Sequence, residues 1–216
     1  MRLVELNHVI EAGMVTYKGL PGPVICDYLA REASRGLYAE DTTFQIGRID
    51  MVSNTGTYLD TPFHRYADGA DLSCVPLDAV TQLPGLVVRC DGLAIGADAF
   101  AGLDVAGRAV LVHTGWDRHW RTDAYLSGHP FLTEAAALYL RDAGAALVGI
   151  DSHNIDDTSG KARPVHSVLL RAGIPIVEHL TNLGQLPQEG FIFNAPPPRV
   201  KGMGTFPVRA HAVIAG

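Results

Sequence analysis

Thr133-Glu-Ala-Ala-Ala-Leu-Tyr-Leu-Arg-Asp-Ala-Gly144-Ala-Ala-Leu-Val-Gly-Ile-Asp151 decides the class of fold. Thr133 offers a side-chain oxygen to cap the helix that begins at Glu134, and Gly144 supplies its stop. Ala146 to Asp151 then forms a short apolar run ending on an acid, the pattern of a buried strand. A helix that delivers the chain directly to a buried strand belongs to α/β construction, where functional residues gather at the strand's carboxyl end. That end is Asp151-Ser-His153-Asn-Ile-Asp-Asp157.

Working outward, Gly85-Leu-Val-Val-Arg-Cys and Arg108-Ala-Val-Leu-Val-His also read as buried strands, rich in Val. The second runs into Thr114-Gly115-Trp116; Trp116, Trp120 and Tyr125 either line an aromatic pocket or pack in the core. Downstream, the spacing predicts a short helix from His166 to Arg171 stopped by Gly173, then a strand over Ile174-Pro-Ile-Val that ends on Glu178. His166 precedes an apolar run and Glu178 follows one, which predicts partial burial, and a buried carboxylate needs a cation or hydrogen-bond donors. Phe191 to Asn194 and Pro207 to Ile214 read as two more strands. Upstream, residues 2 to 9 alternate apolar and polar as a half-buried strand with His8 at its end. Residues 24 to 40 stay open between helix and loop, and Phe44 to Val52 reads as a strand.

That strand feeds Ser53-Asn-Thr-Gly-Thr-Tyr-Leu-Asp-Thr-Pro-Phe-His-Arg-Tyr66, which places Asp60 and His64 four residues apart. Gly56 and Pro62 disfavour a regular helix here, so a loop or strand end is expected. An acid and an imidazole on stiff, irregular backbone suit metal binding or proton transfer; the alternative is a surface turn whose Asp caps the backbone.

The 216 residues fit a single domain spanning 1–216. With 47% hydrophobic and 19% charged residues and no low-complexity tract, extensive disorder is excluded as a reading. The net charge of −6 argues against nucleic acid as a partner. No apolar run has signal-peptide or membrane-spanning character, which predicts a soluble, cytoplasmic protein with no membrane partner. Cys26, Cys74 and Cys90 are widely spaced, without a Cys-x-x-Cys pair, and are expected as buried, reduced thiols.

The 53–66 stretch resembles the signature of the metal-dependent cyclase/hydrolase superfamily that includes bacterial kynurenine formamidase, His-x-Gly-Thr-His-x-Asp-x-Pro-x-His. Gly56, Thr57, Asp60, Pro62 and His64 match, while Asn54 and Tyr58 stand where the pattern has His. Leu6-Asn7-His8 with its Gly- and Pro-rich sequel, Thr114-Gly115-Trp116, and the His166 to Glu178 spacing followed by Leu180-Thr-Asn-Leu183 resemble further family segments. The resemblance implies a mixed α/β fold with a central, partly barrel-like sheet and flanking helices. It implies Asp60, His166 and Glu178 as ligands of a divalent metal, zinc or manganese, and His64 as general acid/base. Without two motif histidines, one metal per chain is expected rather than two. Tyr58, as a neutral phenol, is expected to donate to a substrate oxyanion; His153 could compensate as a ligand, and His8 either touches the site or closes its strand. The implied activity is metal-dependent hydrolysis of an amide, formamide such as N-formylkynurenine, or lactone-like bond in a small aromatic metabolite, by a homodimer or homotetramer. Cyclisation, dehydration or cyclic imide hydrolysis on the same residues, and metal-free binding of a small molecule, are the alternatives.

Overall fold

The computed structural model describes residues 1–39 and 42–216. In chain order the strands and helices are β1 (Arg2–Glu5), β2 (Val24–Leu29), β3 (Ile46–Asp50), β4 (Tyr58–Asp60), β5 (Leu83–Arg89), β6 (Ala94–Ile95), β7 (Ala109–His113), β8 (Phe131–Leu132), α1 (Glu134–Asp142), β9 (Leu147–Ile150), α2 (Pro164–Arg171), β10 (Ile176–Glu178), β11 (Phe191–Asn194), β12 (Thr205–Pro207) and β13 (His211–Ile214). Nine strands form one sheet in the order β1-β13-β11-β5-β7-β9-β10-β4-β12. Its centre, β5-β7-β9-β10, is parallel, and the strands on either side pair antiparallel.

The parallel centre explains the continuous Val- and Leu-rich runs, because such strands are covered on both faces. Along β7 the side chains alternate: Val110 and Val112 pack with Ala136, Leu140, Val165 and Leu169 of α1 and α2, whereas Leu111 packs with Leu59, Leu147 and Val177. The expected helix over Glu134 onward is α1; Thr133 Oγ1 accepts from the Ala136 N–H at 3.3 Å, and Gly144 leaves the helix at φ +79°.

Chain length proves that the sheet curls. β12 and β13 sit seven positions apart in the strand order, which in a flat sheet would separate them by about 34 Å. Only Val208–Ala210 joins them, and such a link reaches at most about 14 Å. The two ends of the sheet therefore meet, held by Leu6 N–H to Ala210 O and Thr181 N–H to Leu6 O, and the mixed α/β architecture is a curled half-barrel.

Several local readings are corrected. Pro207 to Ile214 is not one strand: Pro207 ends β12 and His211 starts β13, because the two pair with different ends of the sheet. The N-terminal strand stops at Glu5, so His8 lies beyond it. The open segment from residue 24 begins with β2, which pairs with β3 in a separate, largely exposed ribbon; residue 40 lies outside the described residues. The cysteines are free but not buried, since Cys26 sits on that ribbon, Cys74 is exposed in a turn and Cys90 is half-buried. No helix among the described residues is long and apolar enough to cross a membrane.

Candidate metal centre

The site lies on the α2 side of the sheet and is built from register. β4 pairs with β10 so that Tyr58 faces Glu178 and Asp60 faces Ile176, and with β12 so that Asp60 faces Thr205. Residues directly opposite share a face; Tyr58, Asp60, Glu178 and Thr205 therefore converge while Leu59 and Val177 enter the core behind. Pro62 starts the single 3-10 turn that carries His64 back over Asp60. This turn lies against bare backbone of Gly204, whose carbonyl takes the Thr61 N–H at 2.8 Å. A Cβ on Gly204 would sit 2.2 Å from the His64 nitrogen.

His166 enters from the first turn of α2. Asp156, midway along the loop between β9 and α2, accepts the Val165 and His166 N–H groups at 2.7 and 3.1 Å and the His166 ring Nδ1–H at 2.6 Å. One carboxylate thus satisfies the start of the helix and fixes the imidazole tautomer. The His166 Nε2 then faces Asp60 Oδ2 at 3.7 Å and Glu178 Oε1 at 3.6 Å. These separations are too long for hydrogen bonds and close to the roughly 3.4 Å between neighbouring ligands of a tetrahedral ion.

The electrostatics call for a cation. Asp60, Asp156, His166 and Glu178 are all buried, and Asp60 Oδ2 has no hydrogen-bond partner. Burial alone would lower the His166 pKa, yet Glu178, Asp156 and Asp60 push it up to about 10. Burial, aided by Asp60, raises Glu178 to about 7. A buried cluster this rich in carboxylate holds a proton for want of another positive charge. The donor set of carboxylate oxygens and one imidazole suits a divalent ion such as zinc or manganese, and ligand atoms of Asp60, His64 and His166 lie within 4.8 Å of one another.

The expected site residues are brought together: His64, His166, Glu178 and Tyr58 line one cavity of about 330 Å³ with Tyr17, Leu20, Asn54 and Asn154, and Asp60 lies fully buried behind it, against His64 and His166. His64 differs from the rest in being at the solvent edge, its Nδ1 2.8 Å from Thr205 Oγ1. Tyr58 is buried and its pKa lies well above the usual phenol value through burial and the Glu178 and Asp60 carboxylates, so it is no anionic ligand. Its hydroxyl donates to Glu178 Oε2 at 2.7 Å, which leaves no proton for a substrate oxyanion. His153 is not among the grouped ligands; it packs against Tyr17, Tyr125, His129 and His179. His8 stacks on Trp120 at 3.9 Å. Trp116, Trp120 and Tyr125 pack together rather than line the cavity, where Tyr17 supplies the aromatic face.

Sequence reasoning missed Thr205, whose hydroxyl joins Asp60 to His64, and Asp156 as the partner of His166. Asp156 lay in the strand-end segment already singled out, a signal too coarse to choose among its acids. Nothing local marked Thr205, because only the placement of β12 beside β4 gives it a role.

Comparison with known proteins places the chain among relatives of one family. The sequence model of the Cyclase family matches residues 4–157. Kynurenine formamidase of Geobacillus thermodenitrificans is 31% identical over 80% of this chain and 81% of its own length. That of Paracidovorax citrulli is 32% identical over 76% and 78%. A solved structure described as a potential metal-dependent hydrolase with cyclase activity superposes at TM-score 0.79 and 28% identity, covering 98% of this chain and 96% of its own. Isatin hydrolase A of Labrenzia aggregata shares the fold at TM-score 0.84 and 21% identity, covering 100% and 94%.

Proposed function

Because the chain belongs to the Cyclase family, we propose that it is a metal-dependent hydrolase that opens the formamide or a related amide or lactone bond of a small aryl substrate. The observation that carries the reading is the convergence of the partnerless Asp60 Oδ2, His166 Nε2 and Glu178 Oε1 in one buried spot at the base of an open cavity. A divalent ion held by these three supplies a Lewis acid that polarises the substrate carbonyl and acidifies water. The likeness to kynurenine formamidases supports an N-formylkynurenine-like substrate.

The chain's own residues do the proton work. The single proton of Thr205 goes to the Asp60 carboxylate, so His64 Nδ1–H is the donor in the His64–Thr205 bond. His64 Nε2 is then a free lone pair on an accessible ring, poised to take a proton from the attacking water. As the C–N bond breaks, the same nitrogen returns that proton to the leaving amine. Water adds across the bond, yielding formate and an aryl amine. Tyr17 and Leu20 offer an apolar wall for the aryl ring. Arg65 and Arg163 also line the cavity; Arg65 bonds Ser167 Oγ, and Arg163 bonds backbone carbonyls while its charge reaches Asp157; both can meet a carboxylate on the substrate.

The test is formate release from N-formylkynurenine by protein purified without chelator and supplied with manganese or zinc. His64→Ala should slow turnover by about 10²–10⁴-fold while retaining the ion. Absence of bound metal in the wild type, together with none taken up on titration, would sink the reading.

A further inference from the structure

Beside the candidate centre runs a second set of contacts, for which the hydrolytic chemistry has no evident use. Tyr58 Oη lies 2.7 Å from Glu178 Oε2 and 3.3 Å from His179 Nε2, and His179 Nδ1 lies 2.8 Å from the Tyr125 hydroxyl. All four residues are buried. His179 also holds a left-handed backbone at φ +58°, a conformation that residues other than glycine rarely adopt, with its carbonyl accepting from Thr57 Oγ1 at 2.5 Å.

The protons allow few arrangements. Tyr58 has one, and the shorter contact to a carboxylate claims it in preference to the longer one to an imidazole. His179 must then present Nε2–H to the phenol oxygen. Its Nδ1 is left as an acceptor, which gives the Tyr125 hydroxyl its partner. In the opposite tautomer Tyr125 would have to accept from Nδ1–H, leaving its own buried proton unpaired, which is costly. Every donor therefore points the same way, from Tyr125 through His179 and Tyr58 to Glu178.

We propose that Tyr125, His179 and Tyr58 are positioning residues, a one-way hydrogen-bond chain that occupies Glu178 Oε2 and leaves Oε1 as the only Glu178 oxygen facing His166. Oε1 is itself steadied by the Ile155 N–H at 2.7 Å. With Oε2 engaged by Tyr58, and by Asn154 Nδ2 at 3.4 Å, Oε1 is the oxygen that Glu178 would offer to a cation beside His166. The inference rests on the metal-centre reading for its consequence, but its hydrogen-bond polarity stands apart from it.

The experiment uses the full chain and two readouts. Nitrogen NMR of histidine-labelled protein stripped of metal, with His179 assigned by comparison with His179→Gln, should show the Nε2–H tautomer. An Nδ1–H tautomer would overturn the chain whether or not any metal binds. Equilibrium dialysis with manganese should then show affinity lowered by about 10-fold or more in Tyr58→Phe, with the stoichiometry still one ion per chain in the wild type. Equal affinity in wild type and Tyr58→Phe overturns the positioning role and leaves the hydrolase reading intact. If the wild type binds no manganese or zinc, the hydrolase reading fails, and with it the positioning of a cation ligand; the tautomer still decides the polarity.

Discussion

Two histidine environments, one fully buried and one partly so, lie side by side in this protein and behave in opposite ways. His166 sits among Asp60, Asp156 and Glu178, which overcome burial and push its pKa up to about 10. His8 and His153 sit among rings, and burial drives each down to about 4; for His153 the neighbouring His129 adds to the effect. The ring is the same and burial acts in the same direction on all three. Carboxylate density alone reverses the outcome, and it separates a place that attracts cations from a place that excludes them.

The comparison is broken most directly by exchanging ring losses between the two regions. His166→Ala should cost more than about 100-fold in manganese affinity, beyond the range typical of outer partners, while His153→Phe should change it by less than about 3-fold. Equal losses, measured by dialysis, would show that the two environments are not electrically distinct.

Acid titration sharpens the same contrast. The ring-packed histidines titrate at about 4 when folded and near 6.5 when unfolded. In that window the unfolded chain binds the extra protons, so their contribution to stability is full above pH 6.5 and is lost as pH falls towards 4. Each shift corresponds to about 3 kcal/mol at most. Glu178 has the opposite sign: its folded value of about 7 lies above 4.5, so in metal-free protein its contribution is present at low pH and lost as pH rises through 7. Denaturant unfolding at several pH values should show a shallower acid loss in His153→Phe than in the wild type. An unchanged slope would mean that His153 is charged or solvated in the folded state.

The smallest expected effect is on orientation. Asp156→Asn keeps the size of the side chain but weakens its hold on the His166 ring and on the start of α2, and should lower metal affinity by about 10–100-fold. A variant that binds as tightly as the wild type would remove Asp156 from the centre.

Parts of this were legible in the sequence for local reasons. α1 announced itself because its cap, its run of good formers and its stop are neighbours in the chain. Asp60 and His64 stood out because Gly56 and Pro62 mark an irregular backbone around them, and the family resemblance then supplied His166 and Glu178. What remained hidden depends on strands that meet only after the sheet closes. Thr205 reaches Asp60 across 145 positions of chain, and Tyr58 reaches Glu178 across 120. An alternating pattern also says nothing about which partner covers a strand, which is why β3 could be foreseen but its exposure on a separate ribbon could not.

The bare backbone at Gly204 sets a limit on how this pocket can be remodelled. Any side chain there would collide with the turn that carries His64, so a randomised library at that position should return almost only the parent residue. Tyr17 and Leu20 line the same cavity from another segment, and substitutions there leave that turn untouched. New substrate preferences are therefore open to selection along one wall of the cavity and closed along the other.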